Sequence, residues 1–254
     1  MSIEIKITNL TKKYPNGTEA LKGISLQIEQ GQFFALLGPN GAGKSTLVKI
    51  LTTLIQKDSG DFSIGGISPE KNPSQIQRYI GVALQENELD PTEKVASLLQ
   101  FQGQLFGMTQ KQALARADEL TELFQLETER NKKAGALSGG NKRRLHCALA
   151  LVHNPKVLFL DEPTVGMDPV ARHTFWSIIS GLNTKEKVTV LLTTQYLEEA
   201  DKYATQMAMI TDGRLQYTGE VSKFKNMVHP EKDASLENSY LTYLKTLTNN
   251  KNEN

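Results

Sequence analysis

Short runs of β-branched and aromatic residues alternate with turns through the first third of the chain. Residues 3–7, 24–28 and 33–37 read as strands, and the last of these feeds a helix-like stretch over 44–54. Residues 61–64 form another strand-length run ending at Gly65-Gly66, and 80–84 reads as a strand that stops at Gln85. The pattern then changes. Between 91 and 151 little resembles a strand, while Leu98, Leu99 and Leu105, then Leu114, Leu120, Leu123 and Phe124, recur at helical spacing. After Pro155 strands and helices alternate again, with strands at 157–160, 188–193 and 207–210, helices at 171–182 and from Leu197, and a hairpin turn at Asp212-Gly213. Leu236, Tyr240, Leu241 and Leu244 predict a last helix over 235–247, and the polar residues after it carry no period.

Strands alternating with helices predict an α/β fold with a largely parallel core sheet, N-terminal antiparallel strands and an inserted helical lobe. The expected division is one domain over 1–248, with an α/β core at 1–86 and 155–234. A helical lobe at 87–154, a C-terminal helix at 235–248 and a disordered tail at 249–254 complete it.

Composition removes some function classes. A chain of 254 residues can bury a core of its own, and a net charge of +1 creates no field that favours nucleic acid or an anionic surface. Partners must therefore be argued from sites. Cys147 is the single cysteine, so no internal bridge can form, and the opening residues lack the basic-then-apolar order of a signal peptide. The expectation is a reducing cytoplasm. No apolar run approaches the roughly 18 residues of a membrane span.

The chemistry lies in two strings. GPNGAGKS, from Gly38 through Pro39, Asn40, Gly41, Ala42, Gly43 and Lys44 to Ser45, fits G-x-x-x-x-G-K-[ST] and falls between a strand and a helix, with Thr46 next. Such a loop turns successive N–H groups onto phosphate oxygens, and the helix N-terminus adds partial positive charge. Lys44 is expected to reach the β and γ phosphates, and Ser45 to offer its hydroxyl to Mg²⁺. The second string, VLFLDE at 157–162, is an apolar strand ending in two carboxylates. Ligands of open α/β sheets bind beyond the carboxyl ends of strands, so both acids face the phosphate loop. Asp161 is expected to hold Mg²⁺ and Glu162 to polarise the attacking water. Together they predict a P-loop NTPase that uses ATP and Mg²⁺.

LSGGNKRR at 137–144 narrows the superfamily. Ser138 at a helix N-cap, followed by Gly139 and Gly140, exposes N–H groups and a hydroxyl, forming a second anion site without a lysine. The segment resembles the LSGGQ signature of ABC ATPases, with Asn141 in place of the usual Gln. That resemblance, which runs from about residue 3 to 247, implies a head-to-tail dimer, either a homodimer or a heterodimer with a paralogous ATPase. In it the signature of one protomer closes over ATP held by the other. It also implies that Tyr14 stacks on adenine, that Gln85 ligates Mg²⁺ and senses a membrane partner, and that VGMD at 165–168 crosses the dimer interface, with Pro169 starting the next helix. Gln195 stands where most members carry histidine. Gln can still donate an amide hydrogen bond to the γ-phosphate but cannot carry a proton charge.

PTVGMDP, TTQYLEEAD and SLENSYLTYL are similar to the bacterial drug-resistance exporters of the daunorubicin and doxorubicin type. The resemblance implies a subunit on the inner face of the plasma membrane, working with a separately encoded permease and not with nucleic acid. Two other readings remain open. A non-transport ABC ATPase of ribosomes or DNA would generally carry two cassettes, and this chain has one signature. A non-hydrolysing switch is opposed by intact Lys44, Asp161 and Glu162. The four histidines have no ligand spacing; His146 and His153 read as helix residues and Cys147 as core.

Overall fold

The computed structural model describes residues 2–84, 89–230 and 234–252, with side chains described as far as Leu247. Its centre is a six-stranded sheet in the order β5 (Ile80–Ala83), β6 (Val157–Asp161), β7 (Thr189–Thr193), β3 (Phe33–Leu37), β8 (Gln206–Thr211) and β9 (Arg214–Glu220). All neighbours are parallel except the β8–β9 hairpin, which turns at Asp212 (φ 50°) and Gly213. A separate antiparallel sheet pairs β1 (Ile3–Lys13) with β2 (Glu19–Glu29) and β4 (Ser59–Ile64).

The parallel strands are buried on both faces, which is why they read as continuous apolar runs. Alternate side chains serve two cores. Phe33, Ala35, Leu37, Leu158, Leu160, Val190 and Leu192 face one, and Phe34, Leu36, Val157, Phe159 and Leu191 the other. The second face is covered by α1 (Lys44–Leu51), α2 (Pro73–Tyr79) and the antiparallel sheet. Against the first pack α3 (Val95–Leu105), α4 (Gln110–Leu123) and α5 (Gly139–Ala150), together with α6 (Pro169–Glu186), α7 (Leu197–Tyr203), α8 (Val221–Val228) and α9 (Leu236–Asn252). The described residues between 89 and 154 contain helices α3 to α5 and no strand.

Several boundaries differ from the sequence expectation. Helix α1 ends at Leu51 and not at 54, because Thr53 adopts a left-handed φ of 62°. Helix α6 begins at Pro169, as the VGMD resemblance implies and two residues before the periodic stretch at 171–182, because the Asp168 carboxylate caps Val170 N–H at 2.9 Å and Ala171 N–H at 3.0 Å. Strand β1 runs on to Lys13 through register shifts beside Asn9, whose φ is 48°. Helix α9 continues to Asn252, so the boundary expected at 248 falls inside a helix. His153 sits in the turn after α5 and not within a helix, its ring stacked on Phe106 at 3.8 Å.

Candidate functional site

Strand β3 ends at Leu37 in the middle of the sheet, and the chain turns directly into α1. The turn depends on glycine where backbone crowds it. A Cβ on Gly38 would stand 2.1 Å from the Ile210 carbonyl oxygen, and one on Gly43 would stand 2.4 Å from that of Ala20, with φ of 155° and 108°. Lys44 is 9% exposed as a residue, and its ammonium donates to the carbonyls of Gly38 at 2.7 Å and Pro39 at 3.1 Å. Burial lowers its pKa, and the nearby Glu162 and Asp161 carboxylates pull it partly back. Loop, lysine and both acids thus share one electrostatic neighbourhood.

Strand β7 separates β3 from β6 and supplies the link between them. Asp161 ends β6 in register with Thr193 and accepts a hydrogen bond from its hydroxyl. The acid is buried, while Glu162 reaches further out into a cleft of about 480 Å³. Residues 40–46 line this cleft together with Tyr14, Thr18, Ala20, Glu162 and Gln195. The Tyr14 hydroxyl lies 3.2 Å from that of Thr46. Sequence signals more than 140 residues apart, from Tyr14 to Glu162, therefore converge on one wall-to-wall site.

Ser138, Gly139 and Gly140 are not in that cleft. They form the N-terminus of α5, where Ser138 Oγ accepts from Asn141 N–H at 3.3 Å, and all three are at least partly solvent-exposed. Gln85 lies outside the described residues, which stop at Leu84 and resume at Leu89. Three supporting residues lie within the strings LSGGNKRR and TTQYLEEAD, yet nothing in those strings gave them a role. Besides Thr193, the buried Glu199 carboxylate accepts from Thr164, from Thr194 at 2.8 Å and from Trp176 Nε1 at 3.0 Å. It thereby ties the segments flanking Glu162 and Gln195 to α6. Arg143, on α5, spans the carbonyls that follow β5 and β6. A threonine at a strand end, or an acid or arginine within a helix, is ordinary in sequence, and only the partners brought by the fold mark these.

A phosphate loop between a central parallel strand and a helix, facing two carboxylates at the end of β6 one strand beyond β7, defines an ATPase of the P-loop class. Comparison with known proteins narrows this. The ABC transporter family matches residues 21–165. The chain is 39% identical over 222 residues to the daunorubicin/doxorubicin resistance ATP-binding protein DrrA of Streptomyces peucetius, covering 87% of this chain and 67% of that one. It is 40% identical over 210 residues to the Nod factor export ATP-binding protein I of Burkholderia thailandensis, covering 83% and 68%. A dimeric ATP-binding cassette solved in a post-hydrolysis state with ADP and Pi superposes with a TM-score of 0.80 at 27% identity, over 85% of this chain and 98% of that one. The chain belongs to the ABC transporter family. It is an ATP-binding, ATP-hydrolysing subunit of a transporter, and among the described residues no helix is long and apolar enough to cross a membrane.

Proposed function

We propose that this subunit drives export through a separate membrane permease, using ATP held between two cassettes packed head to tail. The observation that carries this reading is the separation of the two phosphate-binding elements. The cleft holds the Lys44 loop, while the α5 N-terminus with Ser138, Gly139 and Gly140 points to solvent elsewhere on the same chain. A second cassette would bring its α5 N-terminus over the first one's cleft. Similarity to a Nod factor export protein and to a daunorubicin/doxorubicin resistance protein favours an outward direction.

Within the cleft, residues 38–44 and the α1 N-terminus bind the phosphates, and Tyr14 presents its ring to the adenine. Ser45 and Asp161 offer the hard oxygen donors that suit Mg²⁺, with Gln85 as a further ligand. When bound, the ion neutralises charge on the β and γ phosphates. Glu162 accepts a proton from the attacking water, and the Gln195 amide donates to a γ-phosphate oxygen. With Gln195→His we expect ATPase activity equal to or above that of the parent. A new pH-dependent step should appear between about 6 and 7.5, where imidazole titrates. Steady-state rates from pH 5.5 to 8.5 check this, and complete inactivation would contradict the assignment of Gln195.

The permease is expected in the cleft of about 290 Å³ between the helical lobe and the core. Gln77, Ile80 and Val82 line one wall, and Leu89, Gln102 and Phe106 the other. Two of its lining residues, Val82 and Leu89, flank the candidate sensor Gln85 in sequence, which supports this reading. Single cysteines at Leu89, Gln77 and Gln102 should crosslink to cytoplasmic loops of a co-expressed permease, with a yield that ATP alters. The native thiol will not interfere, since Cys147 is fully buried and burial raises its pKa to about 12. No crosslink at any position in an assembled, active complex would remove this cleft as the docking surface.

A further inference from the structure

Glu162 holds an unusual backbone conformation. Its φ is 48°, in the left-handed region, and Pro163 follows it, which restricts the conformation further. A bulky residue stays there only when its surroundings over-determine it. On one side the Glu162 N–H donates to the Thr193 carbonyl at 2.9 Å. On the other, three successive carbonyls, those of Asp161, Glu162 and Pro163, converge on one guanidinium. Arg143 Nη2 donates to Asp161 and, at 2.9 Å, to Glu162, while Nε donates to Pro163 at 2.9 Å. Nη1 reaches the carbonyl of Leu84, directly before Gln85. The group is 2% exposed, and burial lowers its pKa. Aligned carbonyl dipoles repel one another, and a buried cation with forked donors offsets that repulsion as no neutral residue could.

Arg143 belongs to α5, five residues after Ser138, about 7.5 Å along the helix at 1.5 Å per residue. The helix is continuous from Gly139 to Ala150, with Leu145, Cys147 and Ala148 buried in the core, so the spacing of Arg143 from the Ser138 turn is fixed. We propose that Arg143 is a positioning residue for hydrolysis: its guanidinium fixes the strained turn that aims Glu162, and couples that aim to the Ser138-Gly139-Gly140 turn of the same chain. The proposal rests on the reading of Glu162 as the base and of α5 as the element facing the partner's nucleotide. It adds a direct route between the two ATP sites of a dimer. ATP at the partner's cleft seats this chain's α5, and through Arg143 sets this chain's own Glu162.

The test uses Arg143→Lys and Arg143→Gln, each made in the parent and in the Glu162→Gln chain. Lysine keeps the charge but, as a point donor, cannot span four carbonyls. Calorimetry gives the ATP Kd and the binding-competent fraction, and phosphate release gives kcat per competent chain. In the parent, Arg143→Lys should lower kcat by about 10- to 100-fold, the scale of a misplaced reacting group. The Kd should stay within about twofold, the pattern of a lost transition-state contribution. In the Glu162→Gln chain the same substitution should change the residual rate by less than about twofold, because the group it positions has already been lost. A merely structural role would instead lower both rates by the same factor, and that result, or an unchanged kcat in folded variants, overturns the proposal. Normal hydrolysis by Glu162→Gln alone would point to failure of the underlying reading, not of the Arg143 link. Should neither variant fold, guanidinium signals of Arg143 in the ¹⁵N-arginine-labelled chain carrying only Glu162→Gln are followed. A shift on ATP-driven dimerisation supports the link, and an unchanged spectrum in a chain that dimerises overturns it.

Discussion

Lys44→Ala is expected to abolish measurable ATP binding while leaving the fold intact. Lys44 is the only charged side chain of the phosphate loop, and its ammonium is held at the loop's centre by the Gly38 and Pro39 carbonyls. Two charge-assisted hydrogen bonds to phosphate are worth about 1.5–3 kcal/mol each. Their loss alone should raise Kd at least about 100-fold, at about 1.4 kcal/mol per tenfold. Stability should respond differently. Burial draws the Lys44 pKa below its ordinary value, so the folded chain disfavours the ammonium relative to water and carries it at a net cost. By linkage, a lysine whose folded pKa is lowered makes an unfavourable contribution that is fully present below the folded pKa and fades as pH rises above it. At neutral pH alanine removes this cost, so Tm without nucleotide should not fall. The rise in Tm that ATP gives the parent should vanish, since only a ligand bound to the native state stabilises it. Calorimetry and thermal melts check both parts, and an unchanged Kd would displace Lys44 from the cradle.

How much of this was legible beforehand depended on the range of the interactions. Phosphate loop, acidic strand and signature are local strings, and the elements that carry them, a strand-to-helix turn, a strand end and a helix N-terminus, were readable from the sequence. So were strands β3, β6 and β7, because burial on both faces leaves apolar runs (FFALL, VLFL and VLL) with no alternation to misread. The short helices α2 and α8 were not foreseen. Seven and eight residues give too few turns for a period to show, and packing stabilises such helices more than propensity does. The supporting shell was hidden for another reason. Thr193 meets Asp161 across 32 positions, Glu199 meets Thr164 across 35, and Arg143 meets Leu84 across 59. These pairings are products of strand order, which no local window contains. The Asp168 cap shows the intermediate case. Asp followed by Pro is a readable helix start and stands at the observed one, whereas the apolar period alone shows only from 171.

Glu162→Gln should bind ATP with nearly the affinity of the parent and hydrolyse it about 100- to 10,000-fold more slowly, the range for loss of a general base. The amide matches the carboxylate in shape, so the cleft and the Lys44 contacts persist, but it cannot take a proton from water. Backbone strain does not complicate the comparison. The φ of 48° and the carbonyl contact with Arg143 belong to the main chain and are the same for either side chain. Asp161 cannot substitute, because it is buried and its carboxylate is engaged by Thr193. If hydrolysis is what separates two cassettes, a chain that binds without hydrolysing should accumulate as a dimer. Gel filtration with ATP should then show a species of twice the parent mass that disappears when Lys44→Ala is added. Should it show only monomer, the measurement is repeated with the permease present, since the membrane partner can be needed to align the two chains. Normal phosphate release together with a persistent monomer would count against both the role of Glu162 and the sandwich arrangement. Slow release with a trapped dimer would place the proton acceptor on the strand end where the sequence put two acids side by side.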